Sequence, residues 1–445
     1  MRNKRLDWQA KIIIKWYQAR GKWHSFKMTF GINKGLLAPI APATVAIFLY
    51  LIEHRFENSE PRYYAYAFYL SWIVAGLAFC YVTYNAVRNY RATAIAYQII
   101  SDLDYKRKVL SQIKLSRRQR TNGYELRTFD NGAFKESYLA SDAIDSHLIS
   151  IQSNGQTIPC DTIKPRYSLP DELKQFVPAT LRDRLKENRV FFNGSLLKLS
   201  SDLFLDSDKV VVQKVGYYDG YCSNGLVFKR VKSNAHLNKI FCGETLLFDS
   251  NHELWDLDSS PCANYLGAST LAVTSDGYLI IGKQGAGTMA NAGRYAPSGS
   301  GSVDYRDHRH ETDFIHVLIR AMEREFCEET NYLPTARGQM KTMLLGYARL
   351  IEQGGKPDFF GITFLPDEAH TLKKQIKLRE RTLQDDSVFV KLVPGAGISK
   401  ALSDFCKDQP QQAVSIQLHI LCELLARYET ALPDLTRSLG LPAPI

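Results

Sequence analysis

The run RAMEREFCEETNY, Arg320 to Tyr332, is unusually well supplied with groups that could do chemistry. If it is helical, Glu325, Glu328 and Glu329 stand at i, i+3 and i+4, so three carboxylates project from one side within one turn. Like charges placed this way repel, and Arg324 beside them neutralises only part of the excess. A hard divalent cation resolves the conflict: Mg2+ takes oxygen ligands and usually shares them with substrate phosphates. A solvated acidic helix face is the competing reading of the bare spacing, so the surrounding elements must decide.

From Asn188 onward short apolar runs alternate with turn signals. RVFFNGSLLKL reads as a hairpin around Asn193-Gly194, and STLAVTSDGYLIIG as a stronger one around Asp276-Gly277. VVVQKVGYY, GLVFKRV, TLLFD, TMLLGYARLIE and PDFFGITFL read as strands. A principal helix spans Thr312 to Thr330, with Thr312 as its N-cap and Phe314, Val317, Leu318, Ala321 and Met322 as its core face. A last helix runs from Gln411 to Glu429. The expected fold class is α+β, a mixed sheet around one principal helix.

In that setting the acidic run resembles the Nudix box, G-x5-E-x7-R-E-U-x-E-E-x-G-U with U apolar. Arg324, Glu325, Phe326, Glu328 and Glu329 fill R-E-U-x-E-E, and Tyr332 fills the last apolar place. The preceding hairpin, the Gly-rich APSGSGSVD and the following strands LLGYARLIE and FFGITFL are similar to the order of elements in that family. The resemblance covers roughly Leu266 to Leu365. It departs from the pattern at Asn331, which stands where the family has Gly. At strict spacing the first Gly is His310 and the upstream Glu is His316. A shifted alignment takes Gly301 as the Gly and Asp307 as the counterpart of the upstream Glu. His308, His310 and His316 are a further, separate metal-ligand candidate.

The resemblance implies a Nudix-like mixed sheet with a catalytic helix and hydrolysis of a diphosphate bond in a nucleoside-diphosphate-linked substrate. Under it Glu325, Glu328 and Glu329 bind Mg2+ or Mn2+, while Glu328, Glu329 and Arg324 are catalytic, with Arg324 orienting a carboxylate. Gly299 and Gly301 would let backbone amides approach the diphosphate. Asp307, Arg349 and Glu352 would contact substrate, with Tyr347 and Phe360 as neighbours. The general base stays open among Glu329, Glu352 and Glu368. The alternative is a Nudix-like domain that binds a nucleotide without cleaving it and controls a two-helix membrane effector. That arrangement resembles bacterial conflict systems in which two-helix membrane modules are joined to nucleotide-recognising domains.

The first quarter of the chain has a different character. Residues 1–120 hold 20 Lys/Arg against 6 Asp/Glu, and the remaining 325 residues hold 36 against 40. The net charge of +10 therefore belongs to the N-terminal part, and specific nucleic-acid binding by the whole protein is not expected. Leu36–Ile52 and Tyr63–Val87 carry no charged residue, which predicts a two-span α-helical membrane hairpin over residues 35–88. Nine Lys/Arg precede it and nine follow in Arg88–Arg120, against two in the intervening loop. The positive-inside rule then places both termini in the cytoplasm and the protein in the inner (plasma) membrane. The lipid bilayer is thus an expected partner, with homo-oligomerisation through the hairpin. Residues 1–34 read equally as an interfacial helix or a short cytosolic one. Residues 89–170 read as a helical cytosolic stalk continuing from the second span, RATAIAYQIISDLDYKRKVLSQI, followed from about Ser116 to Pro170 by a connector or a small β-rich adaptor with short strands such as HLISIQ. Residues 171–445 make up the Nudix-like domain.

The eight cysteines are never closer than sixteen residues apart, which gives neither a metal knuckle nor a small disulfide framework. Free thiols in a reducing compartment are expected.

Overall fold

The computed structural model describes residues 87–130, 135–182, 184–186, 191–234, 240–284, 293–333, 340–378, 384–393 and 395–428, with isolated positions before residue 86 and Gly132. The chain divides into two units. The first takes residues 1–100, 170–192 and 230–241, and the second takes 101–169, 193–229 and 242–445. Each therefore draws on segments far apart in sequence.

In the first unit, Tyr97–Ser101, Lys229–Ser233 and Ile240–Cys242 form a three-stranded sheet in that order. Beside it lie the short helices Asp171–Lys174 and Val177–Arg182. Phe176 meets the edge of Tyr97 at 5.0 Å and packs on Phe241 at 5.2 Å. The expected continuous stalk helix is broken here. Helical backbone ends at Ala96, Tyr97–Ser101 runs extended, and a new helix starts at Leu103 behind an Asp102 N-cap. The β-branched pair in YQIIS finds a sheet neighbour in Lys229–Ser233, which outweighs the local helical pattern.

The two-span membrane hairpin is corrected. Leu36–Ile52 lies outside the described residues, and Tyr63–Val87 is described only at scattered positions. Among the described residues no helix is long and apolar enough to cross a membrane. Apolar length is necessary for a span but does not by itself make one. The inner-membrane placement with cytoplasmic termini, and the bilayer and hairpin contacts that rested on it, are not carried further. What stands is a mixed α+β fold built on sheets.

The second unit contains the acidic run. Among its elements are β1 (Glu125–Asp130), β2 (Lys135–Ala140), α1 (Asp142–Ser153), β3 (Cys160–Ile163), β4 (Ser195–Leu199), β5 (Val210–Gly216), β6 (Gly267–Val273), β7 (Tyr278–Gln284), β8 (Tyr295–Pro297) and β9 (Gly299–Ser302). After these come α2 (Tyr305–His308), α3 (Phe314–Thr330), β10 (Lys341–Leu350), β11 (Lys356–Phe364), β12 (Gln384–Lys391), α4 (Ile398–Asp408) and α5 (Ile416–Tyr428). The large sheet has the order β8-β7-β6-β11-β10-β2-β1, with β9 on β6 and β12 on β7. β6 and β11 run parallel, and the remaining pairs are antiparallel. A small sheet places β5 between β3 and β4.

Both faces of the large sheet are covered, as strand alternation requires. Leu271, Val273, Leu279, Ile281, Phe360 and Ile362 point to the face packed by α4 and α5. Ala272 and Ile280 point the other way, to Phe326 of α3. Phe314 and Phe326 are fully enclosed. Burying each contributes about 1.5–3 kcal/mol to holding α3 on the sheet.

Local expectations fared unevenly. The Asp276-Gly277 hairpin forms as β6–β7, with Gly277 at φ +74°. Asn193-Gly194 does not turn a hairpin into β4; that strand pairs with β5 instead. TLLFD is not a strand: Thr245 and Leu246 end a short 3-10 turn (Gly243–Leu246), and Phe248 makes an isolated bridge to Leu254. HLISIQ is helical, the latter half of α1, whose Ser141 N-cap and Ile144/Leu148/Ile151 stripe outweigh the short alternation. Within residues 125–163, β1 and β2 extend the large sheet by pairing Tyr138, Leu139 and Ala140 with Leu350, Arg349 and Ala348.

Candidate functional site

Helix α3 begins one residue later than Thr312 suggests. Asp313 is the N-cap, its carboxylate accepting the Ile315 N–H at 3.2 Å and the Ile158 N–H at 3.0 Å. The helix ends at Asn331, which takes the left-handed conformation (φ 55°, ψ 26°) that a glycine would otherwise supply. Between these ends Arg324, Glu325, Glu328 and Glu329 share one side.

Arg324 organises them. Its Nε and Nη2 donate to the two Asp307 carboxylate oxygens at 2.9 and 2.8 Å, and Nη2 also reaches the Ser302 carbonyl at 3.0 Å. Its Nη1 donates to Glu325 at 2.8 Å and to Glu328 at 3.2 Å. Asp307 sits on α2 and is itself fixed by the Asp304 N–H at 2.9 Å. The fork geometry is what a planar guanidinium does well.

Glu329 is held differently. It accepts the Ser300 N–H at 3.1 Å and a Gln284 amide N–H at 3.4 Å. Burial pushes its carboxyl well above the usual range, and the Glu325 charge adds to that; the two donors oppose it. Burial likewise raises Glu325, against the pull of Arg324. Three carboxylates, Asp307, Glu325 and Glu328, thus share one guanidinium, and Glu329 stands beside them under the influence of the Glu325 charge. Hard oxygen donors with an unbalanced negative charge fit a divalent cation.

Gly299 and Gly301 lie on β9, packed against α3. A Cβ on Gly299 would meet the Phe326 backbone nitrogen at 2.6 Å, and one on Gly301 would meet the Glu325 carboxylate at 2.1 Å. Their absent side chains let strand and helix approach closely. That role differs from the expected open phosphate loop, and the Ser300 amide between them is already given to Glu329.

Arg349 and Glu352 are placed elsewhere. Arg349 is buried and donates to the Trp255 carbonyl at 2.9 Å, with Asp202 at 3.6 Å. Glu352 pairs with Lys106. Tyr347 and Phe360 are enclosed core residues. Glu368 pairs with His370 at the surface, at 3.1 Å. The three histidines do not converge: His308 bonds Thr162 at 2.7 Å, His316 lies 3.2 Å from Asp313, and His310 holds a turn at φ +73°.

A second acidic group went unread in the sequence. Ligand oxygens of Asp202, Asp256 and Asp258 all lie within 4.8 Å of one another, close enough to hold a metal ion. Among the described residues the three glutamates of α3 are not gathered that tightly; Arg324 lies among them. Asp202 is buried, which raises its carboxyl to about 6 despite Arg349. Asp256 accepts from Ser116 and Gln119, both at 2.9 Å, and Arg118 reaches Asp258 at 3.3 Å. The alternate aspartates of WDLDSS were the available signal, but Asp202 is more than fifty positions away. Ser300, a donor to Glu329, lay in the Gly-rich APSGSGSVD that the sequence marked, whereas Gln284, the other donor, was not singled out.

Neither of two described cavities, about 720 and 590 Å³, is lined by a residue of the α3 cluster. Residues 285–292 and 334–339, which neighbour Gln284 and α3 in sequence, lie outside the described residues.

No family model matches the chain, and no curated protein does. Among solved structures, the crystal structure of DR0079 from Deinococcus radiodurans is similar over 40% of this chain and 95% of its own, at 15% identity and a TM-score of 0.24. A similarity at that score carries no argument.

Proposed function

We propose that the side of α3 bearing Glu325, Glu328 and Glu329 binds Mg2+ or Mn2+ together with a nucleotide-type substrate and hydrolyses its diphosphate bond. One observation supports this above the others: three carboxylates, Asp307, Glu325 and Glu328, converge on the single guanidinium of Arg324 with Glu329 beside Glu325, leaving a negative excess beside a helix that the sheet holds rigidly. The resemblance of R-E-U-x-E-E to the Nudix box points the same way.

In this reading Glu325, Glu328 and Glu329 would hold the cation. When bound, it supplies charge withdrawal from phosphate oxygens and lowers the pKa of a water. Arg324 holds Asp307 and Glu325 in fixed orientation through its fork, so that ligand oxygens need little reorganisation. The Ser300 N–H fixes Glu329. Glu328, the most exposed of the three, is held at 3.2 Å by Arg324 and presents its carboxylate to solvent, where a cation can reach it.

A second reading is binding without cleavage. It is favoured by the guanidinium already lying among the carboxylates and by the tendency of Glu329 toward its neutral form.

The test is the full chain with Mg2+ or Mn2+ against nucleoside diphosphate sugars, ADP-ribose, dinucleotides, nucleoside triphosphates and capped RNA. Hydrolysis predicts release of a nucleoside monophosphate, reduced by about 10²-fold or more in Glu328→Gln or Glu329→Gln. Binding alone predicts a thermal shift with a nucleotide and no product. A folded chain that shows neither ends both readings. Isothermal titration of metal into Glu328→Gln and Asp258→Asn separates the two acidic groups: loss of the functional ion only in Asp258→Asn would move the site to the aspartates.

A further inference from the structure

Two cysteines that the sequence keeps sixteen positions apart meet across α4 and α5. Cys406 and Cys422 have their Sγ atoms 3.8 Å apart. Both are half-buried and line the cavity of about 720 Å³, with Lys400, Lys407, His419 and Glu423 on the same wall. The cavity gives a small solute a path to the thiols. By contrast, Cys222 and Cys262 are fully enclosed.

We propose that Cys406 and Cys422 form a reversible redox pair, in which Cys406 reacts first with a peroxide and Cys422 resolves it to a disulfide. The sulfurs must close from 3.8 Å to the S–S bonding distance of about 2.05 Å, which two side chains on adjacent helices achieve by small rotations. Either sulfur can donate across the 3.8 Å contact, and the order assigned here is that of the arrangement in which Cys422 keeps its proton and donates it to the Cys406 sulfur. That bond holds the Cys406 thiol below its ordinary value, while the same bond and burial push Cys422 up. Lys407 adjoins Cys406 in sequence, and Lys400 is paired with Asp404 at 2.7 Å. Glu423 is engaged by the Tyr138 hydroxyl at 2.5 Å and lies 3.3 Å from His419, so its charge is shared.

The chemistry balances. The Cys406 thiolate attacks one oxygen of hydrogen peroxide, the O–O bond breaks, and hydroxide leaves and is protonated to water. The resulting sulfenic acid is attacked by Cys422, whose proton goes to the departing hydroxyl to give a second water. Two thiols lose two electrons and two protons, and the peroxide takes them. A dithiol reductant reverses the step by exchange.

The test treats the full chain with a few equivalents of hydrogen peroxide and maps thiols by differential alkylation and mass spectrometry. The expected result is a Cys406–Cys422 cross-linked peptide that dithiothreitol removes. In Cys422→Ser a dimedone adduct should accumulate at Cys406, whereas in Cys406→Ser it should stay absent from Cys422. If Cys80 oxidises while Cys406 and Cys422 both remain alkylatable in the wild-type chain, the proposal is overturned, and no variant is needed to see it. Equal dimedone labelling of the two single variants would overturn the assigned order.

Discussion

Arg324 divides its guanidinium among three carboxylates and a backbone carbonyl, and only a small part of it meets solvent. Asp307, its bidentate partner, is almost wholly buried. Removing the cation leaves that carboxylate desolvated with no compensating charge. Arg324→Ala should therefore cost roughly 3–5 kcal/mol in urea-induced unfolding, much more than an exposed ion pair would. Arg324→Lys should recover part of the charge but not the fork, and fall between. A loss below about 1 kcal/mol for the alanine variant would mean that Asp307 is solvated or protonated in the folded chain. At this scale the sequence was readable where chemistry is local. Arg324 to Glu329 share one helical turn and a half, and their common side follows from the 3.6-residue period. Asp307 required an alignment shift across an insertion. Gln284, Ser300 and Asp202 reach their partners through tertiary folding; of the three only Ser300 lay in a marked stretch, and there the glycines on either side drew the attention.

At the scale of elements, the glycines of β9 distinguish support from chemistry. The missing Cβ at Gly299 faces backbone atoms of Phe326, which cannot move without shifting α3. At Gly301 it faces the end of a flexible side chain, Glu325. Gly299→Ala should thus lower stability by about 1–3 kcal/mol, as overpacking does. Gly301→Ala should leave the melting temperature closer to wild type but displace Glu325 and weaken Mg2+ binding by calorimetry. The reverse pattern would show that β9 and α3 are not in contact as described. Long, strongly patterned elements were legible: β6–β7, α3, β10 and β11 all follow from turn chemistry and apolar spacing. Short ones were not. HLISIQ alternates well enough to look extended, yet the helix that contains it is decided by a serine cap upstream and by Gln152, which bonds both the Leu344 N–H and carbonyl. The two uncharged apolar runs had the length of membrane spans and basic flanks, but among the described residues no helix is long and apolar enough to cross a membrane.

For the whole molecule, the unit holding α3 takes in residues 101–169, upstream of the expected domain start at residue 171. Its sheet borrows β1 and β2 from upstream, and Tyr138, Leu139, Ile144 and Leu148 are fully enclosed. A fragment of residues 170–445 would lose these strands and expose the β10 edge. It should show no native near-UV circular dichroism and should aggregate, while residues 101–445 retain a sharp unfolding transition. A native spectrum from the shorter fragment would show that β1, β2 and α1 are accessories. Because Ala140 pairs with Ala348, the same borrowing has a temporal side. A ribosome adding roughly 5–20 residues per second finishes β10 about 10–40 s after β2 has emerged. Throughout that interval the early hairpin must travel with one rim unpaired, so this protein's yield in a cell should depend on how well nascent chains are shielded.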